Sequence, residues 1–168
     1  MVLDLDLSTF TLIHAALSVI AVLTGFVVFQ GLLRSQRLKG WTALFLLSAI
    51  ATSATGLGFP TPDFDAAKIV GITSLVALGI AALARYLGDM EGMARWLYAL
   101  SAMVSLYLLV FVLIVQLFQK VPALKALAPT QSEPPFVIAQ GAGLGLFLVL
   151  TILAVRKFHP SGGFSPQY

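Results

Sequence analysis

Five stretches of this sequence run without an Asp, Glu, Lys or Arg: Thr11 to Leu33, Trp41 to Leu57, Ile69 to Ala84, Trp96 to Phe118 and Phe136 to Val155. A helix needs about 20 mostly apolar residues to cross the hydrocarbon of a bilayer. The first, fourth and fifth runs suffice as written. The third reaches that length through Arg85 to Leu87, because an arginine near a helix end can snorkel. The second runs on to Phe59 or lies in locally thinned bilayer. Composition agrees: 59% of residues are hydrophobic, 10% are charged, and the mean hydropathy is +0.97. A soluble globule could not cover its core with so little polar surface, and a disordered chain would not be this apolar. The expected fold is therefore all-α: a polytopic membrane helical bundle of five transmembrane helices, at about 11–33, 41–58, 66–87, 95–118 and 136–156. These form a single domain, 1–158, followed by a disordered cytoplasmic tail, 159–168.

Local punctuation fits those spans. Ser8 and Thr9 are N-cap candidates for the first helix. Gly56, Gly58 and Pro60 end the second, and Thr61-Pro62 caps and opens the third. Pro122 and Pro129 interrupt the connection before the fifth span, which Pro134-Pro135 launches. That connection, Gln119 to Pro135, is low in charge and is expected to fold back on the bundle.

Orientation follows from the basic residues. With the N-terminus outside, the cytoplasmic segments hold Arg34, Arg37, Lys39, Arg85, Arg95, Arg156 and Lys157, against Lys68, Lys120 and Lys125 on the other side. The excess favours N-out, C-in. Asp4 and Asp6 do not resist translocation of the N-terminal segment, and the missing basic n-region argues against a cleavable signal peptide. Trp41, Trp96 and Tyr98 sit at helix ends, where interface aromatics belong.

Several chemistries are excluded. The sequence has no cysteine, hence no disulfide, thiolate metal site or thiol nucleophile. No carboxylate or lysine lies between the helix ends, which argues against a proton pump or carboxylate-coupled transporter, and no helix carries the spaced arginines of a voltage sensor. His14 and His159 are the only histidines, and this topology strands them on opposite sides, so one chain cannot ligate a haem through both. A haem shared by two copies of His14 is the one form left, and no cofactor or metal is expected. No HExxH, GxSxG or P-loop pattern occurs. No soluble domain is present to bind nucleic acid.

The uncharged polar residues are concentrated toward one side. His14, Thr52, Ser53, Thr55, Thr73, Ser74, Gln116 and Gln140 all fall within roughly 10 Å of the outer boundary at about 1.5 Å rise per residue. Glu133, Gln131, Asp63, Asp65 and Lys68 lie in the loops above them. The expectation is a polar layer or shallow pocket opening outward, with His14, Thr52, Ser53, Thr55, Gln116, Gln140 and Glu133 as candidate ligand-binding residues. The bland alternative is that Ser, Thr and Gln act as interhelical glue, at about 0.6 kcal/mol per bond, and that His14 is a neutral histidine bonded to a neighbouring helix.

Small residues mark packing faces. His14, Ser18, Ala21 and Gly25 form one stripe on the first helix, Ser48, Thr52 and Gly56 repeat every fourth residue on the second, and Gly141 and Gly145 form a GxxxG on the fifth. Such faces serve either packing within the chain or homodimerisation.

Three motifs carry a resemblance: Thr52-Ser53-Ala54-Thr55-Gly56-Leu57-Gly58-Phe59-Pro60, Ala94-Arg95-Trp96-Leu97-Tyr98 and Ala128-Pro129-Thr130-Gln131-Ser132-Glu133-Pro134-Pro135-Phe136. Together they resemble a family of small bacterial multi-pass membrane proteins without an assigned mechanism. The resemblance implies a cell inner membrane location and no particular activity.

The leading functional reading is a non-catalytic accessory or interaction subunit, or an outward-facing binder of a small molecule or lipid. Its partners would be the bilayer and either a second copy or a membrane-complex subunit. An oligomeric small-solute transporter or channel, lined by Gln116, Gln140 and the second-helix threonines, is the alternative. A quinone- or haem-binding redox protein using His14 or Tyr107 comes third.

Overall fold

The computed structural model describes residues 6–60, 66–88 and 90–160, and all of its regular structure is helical. Its elements are α1 (Leu7–Leu33), α2 (Lys39–Leu57), α3 (Ala66–Tyr86), α4 (Gly92–Lys120), α5 (Pro122–Leu127) and α6 (Pro134–Lys157). All but α5 are long and apolar enough to cross a membrane. The Thr61-Pro62 cap, Asp63, Asp65 and the tail beyond residue 160 lie outside the described residues.

Consecutive long helices run antiparallel. α1 to α4 close a ring in which α1 packs on α2, α2 on α3, α3 on α4 and α4 back on α1, and α6 lies outside it against α4 and α1. The buried positions belong largely to small residues. Ala21 and Gly25 of α1, Ala49 of α2, Ala77 and Ala81 of α3, and Ala99 and Ala102 of α4 bring the helix backbones together, with Phe45, Leu78, Met103 and Leu106 filling between them. Gly25 marks the tightest crossing. A Cβ there would come within 2.5 Å of Leu106 Cδ1 and 2.9 Å of Phe45 Cε2, so the side chains of α2 and α4 pack into the space glycine leaves on α1 and would have to shift for any larger residue.

Helix ends depart from the sequence reading in physically clear ways. Asp6, rather than Ser8 or Thr9, caps α1: its carboxylate accepts from the Ser8 amide at 3.2 Å and from the Ser8 hydroxyl. These bonds hold the Asp6 carboxyl below the ordinary carboxylate range. α2 and α4 each begin a few residues earlier than the apolar runs, because the charges that bound those runs, Lys39 and Arg95, lie within the first helical turns. The long connection before α6 contains the six-residue α5, started by Pro122, which packs against α4.

α1 closes in a Schellman turn, with Gln36 N donating to Gly31 O (2.8 Å) and Ser35 N to Leu32 O (3.2 Å). Its left-handed position is Ser35, at φ 56°, where glycine would be the unstrained choice. The Ser35 hydroxyl donates to Lys157 O at 2.7 Å and accepts from His159 N at 3.0 Å, tying the end of α6 to the α1–α2 turn.

The Gly25 crossing makes a direct prediction. Gly25→Val overpacks it and should cost about 1–3 kcal/mol. Gly79→Ala, where a Cβ meets nothing within 4 Å, should be neutral or stabilise by up to about 1 kcal/mol. Unfolding in mixed micelles checks both, and equal midpoints for Gly25→Val and the parent would show that the crossing is not close-packed.

Candidate functional site

The antiparallel arrangement brings the start of α1, the end of α2, the start of α3, the end of α4 and the start of α6 to one end of the bundle. All seven candidate ligand-binding residues are at this end, but they divide into separate groups.

The first group joins α1 to α2. His14 Nδ1 and Thr55 Oγ1 are 2.9 Å apart, and Thr55 also donates back to Ala51 O (2.7 Å) and Thr52 O (3.1 Å). When the threonine proton is directed to the α2 carbonyls, its oxygen is left to accept from an Nδ1–H of the imidazole. Phe59 stacks edge-on against His14 (5.2 Å between centroids) and against Phe10 (5.0 Å), closing the outer face of the ring. Gly56 clears the other side: a Cβ there would lie 3.5 Å from His14 Cε1. The Gly56-Leu57-Gly58-Phe59-Pro60 exit thus carries α2 out of its helix and folds Phe59 back as a cover. Ser18, one turn along α1, donates to His14 O at 2.8 Å.

The second group lies deeper. Thr52, Ser53 and Ser74 are buried, and neither Thr52 Oγ1 nor Ser74 Oγ has a hydrogen-bond partner among the described residues. Ser48, one turn further in, donates to Leu44 O and Phe45 O. The α2 stripe of Ser48 and Thr52 therefore faces protein.

The third group joins α4, the connection and α6. Gln140 Nε2 donates to Phe111 O (3.2 Å), Gln131 Nε2 to Val115 O (3.0 Å), and Gln119 Nε2 to Gln131 Oε1 (3.3 Å). Phe118 of α4 and Phe136 of α6 stack edge-on at 5.4 Å. Gln116 Oε1 and Gln140 Oε1 are buried without a hydrogen-bond partner among the described residues. Glu133 does not reach toward these amides. Its carboxylate accepts from the Thr130 amide (3.1 Å), the Thr130 hydroxyl (2.9 Å) and the Ser132 amide (3.1 Å), forming the turn that starts α6. Desolvation pushes its pKa up, but these bonds outweigh it and hold the carboxyl below its ordinary value.

Among the candidate residues, His14, Thr55 and Gln140 thus tie pairs of helices together, and the carboxylate of Glu133 is held in the loop. The GxxxG face of α6 is open: a Cβ at Gly141 or Gly145 meets nothing within 4 Å, whereas one at Gly143 approaches Ile114 Cδ1 at 3.3 Å. The α6 glycine that serves intrachain packing is therefore Gly143. Tyr107 packs between the rings of Phe111 and Phe147 and shares no neighbour with His14.

The opposite end holds a cluster that sequence reasoning did not single out. Tyr98 is 2% exposed, with its hydroxyl 3.1 Å from Thr42 Oγ1 and its ring 5.7 Å from that of Phe158, itself fully buried. Arg95 Nη1 donates to Phe158 O at 2.6 Å. Arg85 is 7% exposed and its Nε has no partner among the described residues. The signal available was Phe158, an aromatic at the start of a polar tail. No protein-family model matches this chain, and neither the curated proteins nor the solved structures compared with it contain a match.

The contact between His14 and Thr55 should behave as a coupled pair. In a double-mutant cycle of His14→Leu and Thr55→Val, the coupling should be about 0.6–1.7 kcal/mol. Additive single and double variants would remove the bond from the account of this end.

Proposed function

We propose that this chain is a multi-pass integral protein of a cell inner membrane, N-out and C-in, and that it serves as a non-catalytic interaction subunit through the outer face of α6. The observation that supports this is how little of α6 the chain covers. In the most apolar window of α6, 6% of residues are buried, against 44% for α4. Glycine inside a helix costs roughly 0.5–1 kcal/mol relative to alanine. Gly141 and Gly145 return none of that cost within the chain, whereas a helix of a partner membrane protein laid across them could approach closely enough to recover it in packing. Of the polar candidates at the outer end, His14, Thr55 and Gln140 already bond one helix to another, and Glu133 is held in its own turn.

The absence of native cysteine makes the test direct. In intact cells, Ser132→Cys should react with a membrane-impermeant maleimide and Gln36→Cys should not. Both reacting alike would overturn the orientation. Ala142→Cys, between the two glycines, should form crosslinks to a partner membrane protein that Gly141→Leu abolishes while the bundle stays folded. Crosslinks only between copies of this chain would replace the heterologous partner with a homodimer.

A second reading, an oligomeric conduit for a small solute, draws on the buried unpartnered Oε1 atoms of Gln116 and Gln140. Proteoliposome flux that survives Gln116→Leu combined with Gln140→Leu would remove it.

A further inference from the structure

At the end of the bundle opposite His14, α4 and α6 leave a cleft of about 510 Å³ between them. Met93, Trp96 and Leu100 of α4 form one wall, and Ile152 and Val155 of α6 form the other, with Arg156 at the rim. The cleft runs along the helices for about 10 Å, from Met93 to Leu100 at 1.5 Å per residue. Its volume is in the range of small-molecule sites. Leu97 and Thr151 complete a lining that is mostly apolar and holds no carboxylate.

Its charge is one-sided. Arg156 is exposed and has no ion-pair or hydrogen-bond partner among the described residues. Arg95, held by the Phe158 carbonyl, lies with its guanidinium carbon 5.2 Å from the centre of the Trp96 ring and brings a second cation beside the same wall. Lys157 follows on α6. The described carboxylate at this end of the bundle is Glu91, and it makes no salt bridge to any of the three. A cleft that is apolar along its depth and cationic at its rim matches a molecule with a hydrocarbon tail and an anionic head.

We infer that the α4–α6 cleft binds one anionic phospholipid, with an acyl chain against Trp96, Leu100, Ile152 and Val155 and the phosphate at Arg156. This rests on the reading of the chain as a membrane protein. In the N-out, C-in orientation the cleft opens at the cytoplasmic leaflet, where anionic lipid attracts juxtamembrane basic residues. Basic pockets between helices on that side are established headgroup sites in general. The Trp96 indole stands at the headgroup level, and a guanidinium presents parallel N–H donors to phosphate oxygens.

The test reconstitutes the full chain into vesicles of equal parts phosphatidylglycerol and phosphatidylcholine, extracts it gently, and measures the lipid that stays bound by native mass spectrometry. The parent should retain phosphatidylglycerol in clear excess over phosphatidylcholine. Arg156→Gln should cut that excess about fivefold, the equivalent of one lost basic contact near the surface. Arg156→Lys should restore most of it. Val155→Trp, which fills the cleft and keeps the charge, should lower retention of both lipids. Arg34→Gln, a cation at the same end outside the cleft, should leave the excess unchanged, and circular dichroism checks that each variant keeps its helices. Bound lipid in the bulk ratio, or an equal loss with Arg34→Gln and Arg156→Gln, would overturn the site in favour of diffuse attraction. A chain that does not enter the vesicles at all would instead overturn the membrane reading on which the site rests.

Discussion

Close approach of helix backbones at small residues is the constraint on which the rest of this structure depends. In a water-soluble bundle, apolar side chains are sorted inward and polar ones outward, and that sorting sets each helix's rotation. Here the helices are apolar all round, and alanines take many of the contact positions, with a few large side chains filling between them. Ala21, Ala49, Ala81, Ala99 and Ala102 are almost completely buried, while Ile13, Ile72, Leu47, Val76 and Leu83 stand on the outside. Alanines at the helix contacts allow close van der Waals packing, the attraction that would remain to hold such helices together in a bilayer, where the outer surroundings are as apolar as the interior. Gly25 is the extreme case, because its missing Cβ is the space that Phe45 and Leu106 occupy.

That rule explains what could be read from the sequence. The five long helices were legible from the absence of charge over runs long enough to cross a membrane. The inward stripe of α1 was legible because Ala21 and Gly25 stand at helical spacing between larger residues. Gly141 and Gly145 were not, because a small-residue pair announces a close approach without saying whether the other helix belongs to the same chain. Tyr98 was misplaced for a related reason. An aromatic near a helix end reads as an interface anchor, and only Thr42 and Phe158, distant in sequence, make it a core residue. Trp41 and Trp96, about half exposed, do stand on the surface.

The polar end shows a different limit. Depth along each helix can be counted from the sequence, so the gathering of His14, Thr52, Thr55, Gln116 and Gln140 at one end was accessible. Rotation about each helix axis decides whether such groups face one another, and small errors in it accumulate over five helices. The structure pairs His14 with Thr55 and Gln140 with the α4 backbone, so the layer becomes two sets of interhelical ties. Glu133 was counted with the pocket because it stands in the loop above these residues. Thr130 and Ser132 capture it first, since a residue one to three positions away is always within reach.

α6 draws these threads together. Along its length it presents a nearly bare face, but both its ends are fastened by directional bonds. At one end Gln140 donates to the Phe111 carbonyl and Phe136 stacks on Phe118. At the other, Arg95 and Ser35 grip the backbone of Lys157, Phe158 and His159, with Phe158 sunk beside Tyr98. Apolar contact alone fixes a helix poorly when the medium beside it is equally apolar, whereas a hydrogen bond fixes both position and rotation. Ser35 shows the strength of that requirement: the turn favours glycine, and the chain keeps a serine at φ 56° whose hydroxyl reaches α6. A helix clamped at its ends and open along its side is held in one rotation, so Gly141 and Gly145 always point away from the bundle. The same clamping sets the angle between α4 and α6, and with it the cleft that opens beside Arg156.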